Sequence, residues 1–303
     1  GFLLRNRGRP IRSAADKSQH LRHFFDEMPG VVVHLQERCA IGDARVGHHD
    51  VDAAKAFDRG VDQRLGIIAA GNVARHGESL RRAAEQVREF ADSDTCVVTH
   101  AADVSKPSEV DGLMAAALEI FPRLHILVNN AAVLIPGKIE DMQVRHWDLL
   151  YRINIRGPFV GCKLVMPYLR ENGGGHIINI SSVGAIGPGE GPYTEVGGGG
   201  TAYGAGKAHM ERFTQGMAAE VWQDNIAVNC LSPRGGIASE GQRWFRQGTP
   251  YAGAREDGII MGDAGAIMCE KDPKTYTGKI LYDEDVLSDA GVTDFSIYPV
   301  ITD

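Results

Sequence analysis

The chain has 303 residues, 43% of them apolar and 23% charged, enough to bury a sizeable core and inside the ordinary globular range. Its net charge of −7 is uneven: residues 1 to 25 carry Arg5, Arg7, Arg9, Arg12, Lys17 and Arg22 against Asp16 alone, which makes this segment +5 and leaves −12 on the remainder, arguing against general affinity for nucleic acid or an anionic membrane. Five scattered cysteines with no C-x-x-C pair argue against a disulfide framework or a zinc knuckle, and no apolar run approaches the roughly 18 residues of a membrane span, so a soluble protein of a reducing, cytoplasmic compartment is expected.

Residues 1 to 29 read as a basic, solvated extension, and residues 30 to 303 as a single domain. The run "VVV" (31 to 33) is a candidate first strand, and "DAAKAFDRG" (52 to 60) the end of a first helix. From about residue 65, short β-rich apolar runs alternate with helical periods. The strands are expected at 65–70, 96–102, 125–131, 176–181, 226–232 and 278–283, and the helices at 77–91, 107–121, 143–171 and 203–222. In the last helix Met210, Phe213, Met217 and Val221 form one apolar stripe. This rhythm predicts an α/β fold, a doubly wound parallel sheet with helices on both faces.

Such sheets bind ligands beyond the carboxyl ends of their strands, so polar residues just after each strand are the candidates. In "ADVSKPSEV", Ser105 is expected to cap the helix whose first turn contains Pro107, with Asp103 left at the strand end. In "TAYGAGKAHMERF", Tyr203 and Lys207 stand four apart and share a helix face, where the ammonium can lie beside the phenol and favour its ionised form. His48, His49 and Asp50 are adjacent in sequence, so they do not share a side of a helix or strand, and no metal site is expected.

Taken in order, "AADVSKPSEV", "ILVNNAA", "INIRG", "GGHIINISS", "YGAGK" and "NCLSPRGGIAS" resemble the short-chain dehydrogenase/reductase family from about residue 50 to the C-terminus. The ending "YTGKILYDEDVLSDAGVTDFSIYPV" is similar to the branch that includes citronellol dehydrogenases and hydroxysteroid-dehydrogenase-like proteins. The resemblance implies a Rossmann-like, three-layer αβα domain and an NAD(P)-dependent oxidoreductase acting on a carbonyl or secondary alcohol. It also implies a homodimer or homotetramer and a small, fairly apolar substrate.

Carried over residue by residue, the resemblance makes Tyr203 the general acid/base, Lys207 its cationic neighbour and ribose ligand, and Ser182 the hydroxyl that orients the substrate oxygen, with Ser181 as its structural neighbour. Asn154 would hold a water for proton relay, or else mark a local helix irregularity with its side chain bonded to backbone. Asp103 and Val104 would lie at the adenine and Asn130 and Ala131 along the adenosine. Pro233, Ile237 and Ser239 would flank the carboxamide and pyrophosphate, although "PRGGIAS" departs from the commoner P-G-x-x-x-T. The second strand ends in "IIAAGN" without a ribose-binding carboxylate, a slight lean to NADP over NAD, with Arg75 as a phosphate partner.

Three segments depart from, or vary within, the family pattern. The loop between Ser182 and Tyr203, longer than usual and rich in glycine, is expected to be mobile beside the substrate. Trp244 and Phe245 would close over an apolar substrate or pack a lid onto the core. The glycine-rich turn T-G-x-x-x-G-x-G is not recognisable in residues 34 to 50, where only Gly42 and Gly47 occur, beside Glu37, Asp43 and Asp50 that would repel a pyrophosphate. A divergent loop that still binds cofactor, a catalytically silent relative, and a misread frame over the first 60 or so residues all account for this. An epimerase or dehydratase on the same scaffold is a further alternative.

Overall fold

The computed structural model describes residues 31–35, 66–70, 97–121, 123–193, 200–239, 251–256 and 258–302. The expected helices at 52–60 and 77–91, the segment 36–50 with His48, His49 and Asp50, and Arg75, Trp244 and Phe245 lie outside these residues, as does most of the glycine run before Tyr203.

In chain order the strands are β1 (Val31–Leu35), β2 (Gly66–Ala70), β3 (Val97–His100), β4 (Ile126–Asn129), β5 (Gly175–Ile180), β6 (Ile226–Ser232) and β7 (Ile280–Tyr282). The helices are α1 (Pro107–Ile120), α2 (Val144–Tyr151), α3 (Gly157–Glu171), α4 (Thr201–Val221), α5 (Ile259–Cys269) and α6 (Asp283–Asp289). All strands pair in parallel, in the order β3-β2-β1-β4-β5-β6-β7. The order reverses between β1 and β4, which is where a doubly wound sheet opens a crevice beyond its strand ends.

Both faces of the sheet are covered at β4, β5 and β6, as the alternation of side chains shows. Leu127, Ile177 and Val228 are in register across β4, β5 and β6, and they pack under α1, α3 and α4 through Leu113, Val165 and Val221. Ile126, Val128, Ile178 and Leu231 point the other way, under α5 and α6 through Ile260, Met268 and Leu287. Every residue of β4 and β6 is buried, as expected of strands roofed on two sides. The stripe on α4 packs as expected: Met210, Met217 and Val221 are buried and Phe213 lies against the same core.

Local differences have physical causes. The helix expected over 143–171 divides into α2 and α3 around a π-helical turn, Arg152–Arg156, which contains Asn154. Ser105 does not cap α1: Lys106 occupies the cap and makes no side-chain capping bond, while the Asp103 carboxylate accepts from the Ser105 N–H at 2.9 Å. Helix α5 is apolar on nearly all sides and contains Gly262 and Gly265, so it has no amphipathic period to announce it. It is a buried helix that sequence periodicity missed.

Candidate active site

The Tyr203, Lys207, Ser182 and Asn154 side chains are brought together where the end of β5 meets the first turns of α4. Tyr203 is the third residue of α4, half-buried, and Lys207 one turn later is 2% exposed. The Lys207 Nζ donates to the Ile180 carbonyl at 2.7 Å and lies 5.6 Å from the centre of the Tyr203 ring. The ammonium is therefore held by the last carbonyl of β5 beside the phenol.

Ser182 begins the short 3-10 turn Val183–Ala185, and its Oγ accepts from the Gly184 N–H at 3.2 Å. Gly184 lies beside both candidate reacting groups: a β-carbon there would stand 3.5 Å from the Ser182 Oγ and 3.6 Å from the Tyr203 ring. The turn reaches this position because Gly204 has no side chain. A β-carbon on Gly204 would stand 2.5 Å from the Gly184 carbonyl oxygen, a separation that real contacts do not show. A β-carbon on Gly206, on the same helix, would meet only the Asn154 Cβ, at 3.7 Å, which sets Asn154 alongside the Tyr203–Lys207 turn.

Asn154 is 1% exposed and its amide is engaged at both ends by one peptide group, accepting from the Val133 N–H at 2.8 Å and donating to the Val133 carbonyl at 2.9 Å. Of the two alternatives for this residue, its side chain follows the backbone-bonded one. It ties the chain after β4 to the π-helical turn.

Beneath these groups runs a buried polar layer. Asn129 Nδ2 donates to Asn179 Oδ1 at 2.8 Å and to the Cys162 sulfur at 3.2 Å, and Asn179 Nδ2 donates to Thr214 Oγ1 at 2.9 Å, joining β4, β5, α3 and α4. Burial pushes the Cys162 and Cys230 thiols up to about 12, so neither is a nucleophile near neutral pH. No signal in the sequence separated these asparagines from surface ones, because their partners lie about 35 to 50 residues away.

The cofactor candidates fall into two groups. Asn130 is 4% exposed at the end of β4, and its Nδ2 has no hydrogen-bond partner; the buried Ser232 Oγ at the end of β6 is likewise without one. The buried polar atom left open at Asn130, next to the switch in strand order, fits a polar ligand such as a dinucleotide in that crevice; Ser232 stands two strands away. Ala131 and Val104 are buried in the core, Val104 against Gly157 at the start of α3. Asp103 is committed locally: besides its turn with Ser105, its carboxylate lies 3.3 Å from the Lys106 ammonium, and its N–H donates to Glu109 at 2.7 Å.

After β6, Pro233 and Ile237 are half-buried and Ser239 is buried. Where the commoner pattern has glycine after the proline, this chain has Arg234. Its N–H donates to Asp283 at 2.8 Å, and its guanidinium pairs with Asp285 and stacks 4.1 Å from the Tyr282 ring. Burial pushes the Asp283 carboxyl up to about 6, against the pull of the two N–H groups, of Arg234 and Glu284, that it accepts. Arg255 brackets Ile237 through backbone bonds to Gly236 and Ala238, and its guanidinium holds Glu284 and the Tyr298 carbonyl at 2.6 Å each.

Sequence comparison decides the family: the profile of short chain dehydrogenases matches residues 64–248, more than half of the chain. The chain belongs to the short-chain dehydrogenase family. An uncharacterized oxidoreductase of Staphylococcus aureus (strain MRSA252) is 34% identical to this short-chain dehydrogenase over 167 residues, 55% of the chain and 65% of that protein. The match thus spans a little under two thirds of that relative's length. Hydroxysteroid dehydrogenase-like protein 2 of Rattus norvegicus is 29% identical over 238 residues, 77% of this chain and 43% of that protein, in keeping with the expected likeness to that branch. The crystal structure of a short chain dehydrogenase from Mycobacterium thermoresistibile superposes with a TM-score of 0.70 at 25% identity, covering 89% of this chain and 90% of that one. The fold is thus the Rossmann-like one expected for this oxidoreductase family.

Proposed function

We propose that this short-chain dehydrogenase is an NAD(P)-dependent oxidoreductase that moves a hydride between the nicotinamide and a carbonyl or secondary alcohol, with Tyr203 as the general acid/base. The observation that carries the reading is that the Ser182 hydroxyl and the Tyr203 ring both border the one position that a β-carbon on Gly184 would take, at 3.5 and 3.6 Å, with the buried Lys207 ammonium 5.6 Å from the ring centre. When bound, the dinucleotide supplies the hydride donor or acceptor. Ser182 donates to the substrate oxygen and holds it near the phenol. In the reducing direction the Tyr203 hydroxyl gives its proton to that oxygen; in the oxidising direction the phenolate takes it back, and Lys207 stabilises the phenolate in either case. Asn130 lies along the adenosine, Pro233, Ile237 and Ser239 flank the carboxamide and pyrophosphate, and the lean to NADP over NAD stands on the absence of a carboxylate in "IIAAGN".

The substrate is a small, fairly apolar carbonyl or alcohol, and a cytoplasmic location and a homodimer or homotetramer complete the proposal. An apolar groove between α3 and α4, floored by Met166, Phe213 and Met217, is the surface on which a second copy would pack. Among the described residues, no helix is long and apolar enough to cross a membrane. The rival is a catalytically silent protein of the same fold, favoured by the missing glycine-rich turn. Titrating the purified protein with NADPH and with NADH, read by cofactor fluorescence, separates the two: binding of either supports the enzyme, and binding of neither supports the rival.

A further inference from the structure

Two side chains of α4, one helical turn apart, fasten the end of β5. Lys207 donates to the carbonyl of Ile180 at 2.7 Å, and Glu211, four residues on along the same face, accepts from the Ser181 hydroxyl at 2.8 Å. Ile180 and Ser181 are the two residues before Ser182, so both attachments act on the backbone that presents the Ser182 hydroxyl. Ser181 is 3% exposed and its own N–H donates to the Leu231 carbonyl at 2.8 Å, so its side chain is buried at the junction of β5, β6 and α4. A hydroxyl this deep needs an acceptor, and a carboxylate makes the strongest one.

Burial raises the Cys230 thiol, with Glu211 raising it further and Lys207 lowering it. Lys207 holds the Ile180 carbonyl and β6 holds the Ser181 N–H, which leaves the Ser181 side chain as the last attachment before Ser182, and Glu211 fastens it to α4.

We propose that Glu211 is a positioning residue, which with Lys207 forms a two-point clamp that fixes the Ser182 turn opposite Tyr203. Glu211 does not touch the substrate; it acts through Ser181. The inference rests on the reading of Ser182 and Tyr203 as the reacting pair, and it adds a requirement that the four matched family positions do not contain.

The test compares Glu211→Ala, Ser181→Ala, their double variant and Glu211→Gln, measuring kcat, the NADPH dissociation constant, and amide deuterium exchange over residues 182–187. Glu211→Ala and Ser181→Ala should each lower kcat about tenfold, since a misplacement near 1 Å at a reacting group costs up to about a hundredfold. NADPH affinity should stay within about twofold, and exchange in the 182–187 turn should quicken about tenfold, because local opening becomes easier. The double variant should be no worse than either single one, because both remove the same bond. Glu211→Gln should restore both readings, since its amide oxygen still accepts from Ser181.

Wild-type kcat and exchange in Glu211→Ala overturn the clamp, as do losses that multiply in the double variant. Should Glu211→Ala fail to fold, Ser181→Ala against Glu211→Gln carries the same contrast. Exchange is read without turnover, so the outcomes separate: a wild-type protein without activity whose turn responds as stated retains the clamp and loses the oxidoreductase reading, whereas an active protein whose turn and kcat ignore Glu211 loses the clamp alone.

Discussion

Replacing Gly204 by alanine tests the contact that sets the geometry of the site. The new β-carbon would stand 2.5 Å from the Gly184 carbonyl oxygen, so either the Ser182–Ala185 turn or the first turn of α4 must retreat by about 1 Å to reach ordinary van der Waals distance. Overpacking of this kind costs about 1–3 kcal/mol, while alanine in place of glycine inside a helix returns about 1 kcal/mol, so the net loss of stability should be small, about 0–2 kcal/mol. The effect on turnover should be larger than the effect on folding. Moving Ser182 by that distance from its place beside Tyr203 is expected to lower kcat by about tenfold to a hundredfold. Gly206→Ala is the matched control, since its β-carbon would meet only the Asn154 Cβ at 3.7 Å, and it should keep wild-type kcat with equal or higher stability. The measurements are kcat with cofactor saturating and a urea denaturation midpoint for each variant. A Gly204→Ala protein with wild-type kcat would refute the claim that this approach positions Ser182.

Other predictions concern the buried groups around the site. Burial pushes the Glu270 carboxyl at the end of α5 up to about 7, so its ionisation costs stability progressively as pH rises from 4.5 to 7; Glu270→Gln should stabilise the protein by at most about 3 kcal/mol at pH 8 and change nothing near pH 4, measured by denaturant titration at both. Burial pushes His176 down to about 4, the opposite dependence: its contribution is complete above pH 6.5 and is lost as pH falls towards 4, so the acid sensitivity masked by Glu270 and Asp283 in the wild type should emerge in Glu270→Gln as a steeper loss between those values. Thr214→Val leaves the buried Asn179 amide without its acceptor and should cost about 1–3 kcal/mol in thermal or chemical unfolding. Arg234→Gly, which restores the commoner family residue, gives up a partly exposed ion pair and the stack on Tyr282 and should cost only about 1 kcal/mol, with NADPH affinity unchanged by fluorescence titration.

The sheet was largely legible because its strands are continuous apolar runs separated by helical periods, and even "VVV" pairs as the strand at the switch in order. Tyr203 and Lys207 were legible for a local reason, since four residues of helix determine that they share a face. What could not be read depends on close approach between distant segments. Gly204 looks like an unfavourable residue in a helix until the Gly184 carbonyl is set against it, and the structural part of Ser181 has no visible partner until Glu211, 30 residues later, accepts its hydrogen bond. Helix α5 was missed because a helix buried nearly all round has no polar face and hence no period. The π-helical turn at Asn154 interrupts an otherwise continuous helical pattern, and the partner of its buried amide, Val133, is 21 residues away.

The central claim is that Tyr203 exchanges the proton of the reaction. Tyr203→Phe removes one oxygen from a half-buried ring and leaves the Lys207–Ile180 bond, the Ser182 turn and the core contacts of the ring in place. The decisive measurement is the steady-state turnover of this variant on a carbonyl or alcohol that the wild type accepts, with NADPH or NADH binding and the unfolding midpoint recorded on the same preparation. The account predicts loss of turnover by at least about a thousandfold, with cofactor affinity and stability close to wild type. Turnover near the wild-type rate would contradict it.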